Sequence, residues 1–167
     1  MATITFKGNP IQTNGNLPTV GTKTPDFKLT AADLSEKTLA DFAGKNIVLN
    51  IFPSVDTGIC AQSVRTFNEK LSTLENTVVL CISKDLPFAQ SRFCAAEGLN
   101  NVVSLADYKS EDFANNYGVK MIEGPLAGLH SRAVVVVNPE GDIIYTEQVP
   151  EIAQEPSYEN ALAAIQG

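Results

Sequence analysis

Three cysteines, one histidine and three arginines carry the nucleophilic, basic and oxyanion-binding potential of this sequence. Cys60 stands out by its surroundings. The apolar run Ile47-Val48-Leu49-Asn50-Ile51-Phe52 leads into Pro53-Ser54-Val55-Asp56-Thr57-Gly58-Ile59-Cys60, after which Val64, Phe67, Leu71 and Leu74 recur at helical spacing. The cysteine therefore falls where a buried strand turns over into the first turn of a helix. Unpaired backbone N–H groups and the positive end of the helix dipole favour an anion there, so a thiolate is favoured over a thiol. A thiolate in that setting is a nucleophile or a redox centre, whereas a core cysteine behaves as a small hydrophobe. Four residues before Val64, Cys60 also faces the packed side of its helix, which predicts a shielded nucleophile at the rim of a pocket.

The groups around it can be ranked by residue type. Thr57, three residues earlier, is expected at the N-cap, which places Cys60 at the third helical position; its hydroxyl can cap the helix or bond the sulfur or a bound oxygen. Pro53 ends the strand because it has no N–H for a ladder, and it also supplies a rigid wall over the thiolate. An arginine is the natural partner for a thiolate and for a polarised oxygen. Arg65 lies five positions after Cys60, about 140° around the helix, and faces away. Arg92 lies on a second helix whose distance from Cys60 the sequence leaves open. Arg132 heads the most apolar strand, where a charge suggests an edge facing a site, and is the expected partner.

The remaining candidates read differently. Cys81 lies in Val78-Val79-Leu80-Cys81-Ile82-Ser83, a core position that makes a thiol inert. Cys94 projects on a helical wheel with Gln90, Ser91 and Glu97, away from Leu86, Ala89, Phe93 and Ala96, and is expected on a polar side where a second sulfur can reach it. It stands 34 positions from Cys60 (94 − 60), far outside a C-x-x-C spacing. A disulfide between them needs Cα atoms within about 7 Å, so reduced and oxidised forms would need different local structures. His130 falls in a loop with no acid beside it and reads as a surface group rather than the base of a Cys–His hydrolase. No C-x₂₋₄-C pair exists to seed a zinc site.

The elements that must position these residues follow from pattern. Thr3–Phe6 and Ile11–Thr13 flank Gly8-Asn9-Pro10, a short N-terminal hairpin, and residues 14–26 read as loop. Phe27–Thr30 is an expected strand and Leu39–Phe42 a helical turn ending at Gly44. Strand 47–52 precedes a helix over 60–75, then strand 78–83. Asp85 and Pro87 open a helix through Glu97 that stops at Gly98. Residues 110–116 are helix-like, 132–137 and 143–146 are paired strands around the turn 138–142, and a last helix runs over 157–164. Two βα units followed by a β-hairpin and a helix predict an α/β, thioredoxin-like sandwich. The N-terminal hairpin and the 84–117 segment are expected as additions to it.

Bulk properties narrow the rest. The chain has 167 residues, read as one domain over 1–167, with 44% hydrophobic and 19% charged residues. No apolar run approaches the roughly 20 residues that span a bilayer. The first ten residues lack the basic and apolar stretches of a signal peptide, from which a cytoplasmic location is expected. A net charge of −7, with no Lys/Arg cluster larger than a pair, excludes a phosphate-tracking surface and so nucleic acid as a partner. An odd number of cysteines cannot all pair within one chain.

The pattern Pro53-x-x-x-Thr57-x-x-Cys60 resembles the active-site signature of peroxiredoxins. The hairpin, Asn50–Cys60, Asp85–Cys94 and Arg132-Ala-Val-Val-Val resemble, end to end, the bacterial thiol peroxidases, an atypical two-cysteine subgroup. The resemblance implies Cys60 as the peroxidatic cysteine and Cys94 as the resolving one. Thr57 and Arg132 would hold the peroxide oxygens and thiolate, with Pro53 shielding them. It further implies a homodimer, hydrogen peroxide and alkyl hydroperoxides as substrates, thioredoxin as reductant, and no metal, haem or flavin. Two other readings stay open on the residues themselves: a thiol–disulfide oxidoreductase, disfavoured by the missing C-x-x-C, and a non-catalytic thioredoxin-like binding module.

Overall fold

A computed structural model describes residues 1–71 and 73–167. Among these residues the strands are β1 (Thr3–Phe6), β2 (Asn9–Gln12), β3 (Lys28–Ala31), β4 (Glu36–Thr38), β5 (Asn46–Ile51), β6 (Thr77–Ser83), β7 (Val103–Ala106), β8 (Ala133–Val137) and β9 (Ile143–Gln148). The helices are α1 (Gly58–Lys70), α2 (Pro87–Glu97), α3 (Asp112–Tyr117) and α4 (Tyr158–Gln166), with a 3₁₀ turn over Leu39–Phe42. β1 and β2 form the expected antiparallel hairpin, and the other strands form one sheet in the order β4-β3-β7-β6-β5-β8-β9.

The centre of that sheet is parallel, β7-β6-β5, and antiparallel strands extend it on both sides. Strand alternation sorts the side chains onto two faces. Leu49, Ile51, Leu80, Ile82, Val135 and Val137 join Phe113 and Tyr117 of α3 on one side. Val48, Val79, Cys81, Val134 and Val136 join Val64 and Phe67 of α1 and Ala161 of α4 on the other. Central strands buried on both faces explain the continuous apolar runs at 47–52 and 133–137. This is the predicted mixed α/β, thioredoxin-like sandwich with its added hairpin.

Two local expectations are corrected. The 84–117 segment is no mere addition, because it contributes β7, which lies between β6 and β3 inside the sheet. Val-Ser-Leu-Ala is too short to announce itself as a strand, and its pairing with β6 on one side and β3 on the other makes it one. The three-residue β4 was likewise unread. The helix expected over 60–75 spans Gly58–Lys70 instead; Ser72 lies outside the described residues. Gly98 ends α2 as expected, taking the left-handed conformation (φ 68°) that glycine adopts without strain.

The hairpin is bound to the loop after β9. Thr5 donates its N–H to the Pro150 carbonyl at 2.8 Å, and Ile152 donates to the Thr5 carbonyl at 2.9 Å. Ile4, Ile11, Met121 and Ile152 bury a small core beneath it.

Candidate active site

β5 delivers the chain to a tight loop at the end of the sheet, and α1 starts from that loop. Thr57 holds the N-cap position with extended backbone (φ −99°, ψ 144°), and Cys60 is the third helical residue, as its spacing predicted. The Thr57 hydroxyl does not cap the helix: it donates to the Ser54 carbonyl at 3.1 Å, and no side-chain cap bond is formed among the described residues. The first-turn amides therefore keep their donor capacity for whatever sits beside Cys60. Cys60 itself is fully buried, packed with Val55, Val64 and Phe52. The Ser63 hydroxyl bonds the Cys60 carbonyl at 2.8 Å and so tightens this first turn.

Arg132 is the arginine that reaches the thiol. Its Nη2 donates to Cys60 Sγ at 3.2 Å, and its Nε donates to the Ile152 carbonyl at 2.8 Å. The side chain is only 1% exposed, and its Nη1 has no hydrogen-bond partner among the described residues. A buried guanidinium is costly without a counter-charge, and a thiolate is the anion that this geometry offers it. Arg65 faces away as expected, pairing with Glu97 of α2 and lying over Phe93. Arg92 pairs with Asp56 at 3.6 Å, with both side chains about 70% exposed.

Pro53, Thr57, Gly58, Ile59 and Arg132 line one pocket of about 160 Å³, whose remaining walls are Phe6, Leu126, Ile152 and Ala153. The pocket is thus predominantly apolar with one guanidinium in its wall. Residues of the N-terminal hairpin and of the 126 and 152 loops complete it, and none of them is marked by a local motif. A roomier hollow of about 320 Å³ lies at the opposite end of β5, bordered by Lys45 and Pro139, and holds neither cysteine nor arginine.

All three cysteines are free thiols. Cys81 sits in the core as predicted; burial pushes its thiol up to about 12, only partly offset by the Asn50 amide at 3.7 Å. Cys94 is half-buried rather than set on an outward polar side, and its sulfur meets the Ser104 hydroxyl of β7 at 3.4 Å. The helical wheel holds in part: Phe93 packs against the core and Glu97 is exposed as expected, but Gln90 is buried and Leu86 and Ala96 are exposed, because α2 also docks through Pro87 and Gln90. The structure therefore gathers Pro53, Thr57, Cys60 and Arg132 and places Cys94 elsewhere: its partner strand β7 is separated from β8, which Arg132 precedes, by two strands. His130 is also corrected. It is fully buried, with Nε2 2.8 Å from Asp107 Oδ2 and its ring against Phe113. Asp107 is 23 positions away, so sequence proximity could not reveal the pair.

Sequence reading also missed Asp85, which by pattern only opens α2. Its carboxylate accepts from the Ser54 hydroxyl at 2.7 Å, the Val55 N–H at 2.8 Å and the Ser83 hydroxyl at 2.7 Å. It thereby holds the loop that carries Cys60.

A thioredoxin-like sheet with a shielded, arginine-paired thiol at a strand-to-helix turn defines a class, the thiol-based redox enzymes of that fold. A Redoxin family model matches residues 19–162. Curated thiol peroxidases of Mycobacterium bovis and Mycobacterium tuberculosis are 54% identical over 165 residues, covering 99% of this chain and 99% of each relative. A peroxiredoxin-like protein from Aquifex aeolicus superposes with a TM-score of 0.93 at 35% identity, over 99% of this chain and 96% of that one. A thiol peroxidase from Chromobacterium violaceum, at 21% identity, shares the fold with a TM-score of 0.92 over 99% and 96% of the two chains. The chain belongs to the thiol peroxidases of the Redoxin family and is a peroxiredoxin-type, thiol-dependent peroxidase. Among the described residues, no helix is long and apolar enough to cross a membrane.

Proposed function

We propose that this peroxidase reduces hydrogen peroxide and alkyl hydroperoxides through Cys60, with Cys94 as the resolving thiol and thioredoxin as the reductant. The observation that carries the reading is the 3.2 Å approach of the buried Arg132 guanidinium to the buried Cys60 sulfur beside a pocket. The apolar walls contributed by Phe6, Ile59, Leu126 and Ile152 support an alkyl group on the substrate, whose apolar surface they would take out of water.

In this mechanism the Cys60 thiolate attacks the terminal oxygen of ROOH. The S–O bond forms as the O–O bond breaks, and the departing alkoxide takes a proton to leave as ROH, with sulfur oxidised to the sulfenic acid. Arg132 spans the reacting atoms. Nη2 holds the sulfur, the unpaired Nη1 is available to a peroxide oxygen, and the Ile152 carbonyl fixes the plane of the fork through Nε. Thr57, whose hydroxyl now donates to Ser54, can redirect it to an entering oxygen, and Pro53 keeps water from the thiolate. Cys94 then condenses with the sulfenic acid, forming the Cys60–Cys94 disulfide and releasing water. Thioredoxin returns both thiols by exchange. Cys94 must first leave Ser104, so the cycle includes a rearrangement of α2. The same reading carries one domain over 1–167 and a homodimer, which sedimentation equilibrium checks.

Intact mass and a peptide map after one equivalent of cumene hydroperoxide test the proposal. Loss of two hydrogens with a Cys60–Cys94 crosslinked peptide is the expected result. Three free thiols and an unchanged mass would overturn it.

A further inference from the structure

The two cysteines lie on different helices, and one continuous line of hydrogen bonds joins the loop before α1 to α2. From the Cys60 loop, the Ser54 hydroxyl and the Val55 N–H donate to the two oxygens of Asp85 at 2.7 and 2.8 Å. The Ser83 hydroxyl, at the end of β6, donates to Asp85 Oδ2 at 2.7 Å and accepts from Gln90 Nε2 at 3.1 Å. The same amide donates to the Leu105 carbonyl of β7 at 3.0 Å. Gln90 is 1% exposed and lies one helical turn before Cys94, on the same face of α2.

We propose that Asp85, Ser83 and Gln90 form a latch that keeps the Cys60 loop in its peroxide-reactive shape while α2 is docked, and that breaking it commits the enzyme to disulfide closure. They are positioning residues, since none touches the reacting sulfur. The inference rests on Cys94 being the resolving thiol.

The physical argument runs through shared atoms. Ser83 Oγ serves both ends, so α2 cannot lift from β7 without losing the amide that bonds it. Gln90 docks α2 through a buried polar contact whose Oε1 has no partner among the described residues, so the seam is weaker than an apolar one of equal area. The Arg92–Asp56 pair also links α2 to the loop, but at about 70% exposure it is screened by solvent and cannot carry the coupling. The docked state thus favours oxidation of Cys60, and the undocked state favours attack by Cys94.

Rapid mixing of the reduced protein with one equivalent of cumene hydroperoxide, followed by acid quench, thiol alkylation and mass analysis, reads sulfenic acid and disulfide against time. Asp85→Asn keeps the volume but turns an N–H toward a donor. It is expected to slow Cys60 oxidation about tenfold while speeding closure by roughly three- to tenfold, the effect of one net hydrogen bond on an equilibrium. Ser83→Ala, a smaller change, is expected to speed closure by a similar factor. Simple damage to the fold would slow both steps together. Closure that is unchanged or slower in both variants, with wild type forming its Cys60–Cys94 disulfide, overturns the latch and leaves Cys94 as resolving thiol. Wild type that forms no such disulfide overturns both.

Discussion

A guanidinium enclosed as fully as that of Arg132 is tolerated only beside an anion, and the sulfur at 3.2 Å supplies that anion when it is a thiolate. The mutual dependence gives a sharp expectation. Arg132→Met keeps much of the volume and removes the donors, so the rate of Cys60 oxidation by cumene hydroperoxide should fall about 10²–10³-fold, as for loss of an oxyanion donor. Arg132→Lys should recover little, because an ammonium cannot serve the sulfur, the Ile152 carbonyl and a substrate oxygen from one plane. Rapid-quench kinetics would show an error in this assignment as a lysine variant close to wild type. The thiols should also separate by accessibility. With its thiol held near 12, Cys81 should resist iodoacetamide in the native protein at pH 8, whereas half-buried Cys94 should be labelled. Cys94→Ser should leave the first oxidation intact and stop thioredoxin-linked turnover, observed as consumption of one equivalent of hydroperoxide only.

At the scale of elements, the N-terminal hairpin is part of the site, since Phe6 walls the pocket and the 150–153 loop holds Arg132. Glu151 joins the two. It accepts from the Ala153 N–H at 2.8 Å and from the Gly8 N–H and Thr5 hydroxyl at 3.0 Å each. These bonds, the Ala153 amide foremost, hold its carboxyl below the ordinary value of 4.5. A carboxyl with a depressed native value stabilises the docked hairpin above its unfolded value and loses that effect as pH falls through the native one. Acidification below about 4.5 should therefore loosen the hairpin, seen as a shift of the Gly8 amide resonance and lost exchange protection at Thr5. Glu151→Gln should remove that pH dependence. α1 is fixed differently, by apolar packing: Phe67 is fully buried and meets Tyr158 of α4 edge to face at 5.0 Å. Phe67→Ala should cost about 3–5 kcal/mol by urea denaturation.

At the scale of the molecule, the sheet order brings the strand-to-helix turn of Cys60 beside Arg132 and keeps the helix of Cys94 on β7. Separate seats for the two thiols suit the proposed cycle, in which Cys60 meets peroxide before it meets Cys94. The sequence alone determined what depends on near neighbours. The apolar run before Pro53, the helical spacing after Thr57 and the stop at Gly98 each report a local conformational preference, so β5, α1, α2 and the third-position thiol were all legible. The arginine was legible too, because Arg132 is a lone charge at the head of a run of valines. Tertiary structure decided what depends on strand order and register. Val-Ser-Leu-Ala became a strand only between two partners, and α2 turned Gln90 and Cys94 inward because β7 offered Leu105 and Ser104 to meet them. Asp85 grips a loop some 30 positions away, His130 meets Asp107 at 23, and Arg132 meets Cys60 at 72. Contacts at such separations are set by how strands stack side by side, which no local spacing encodes.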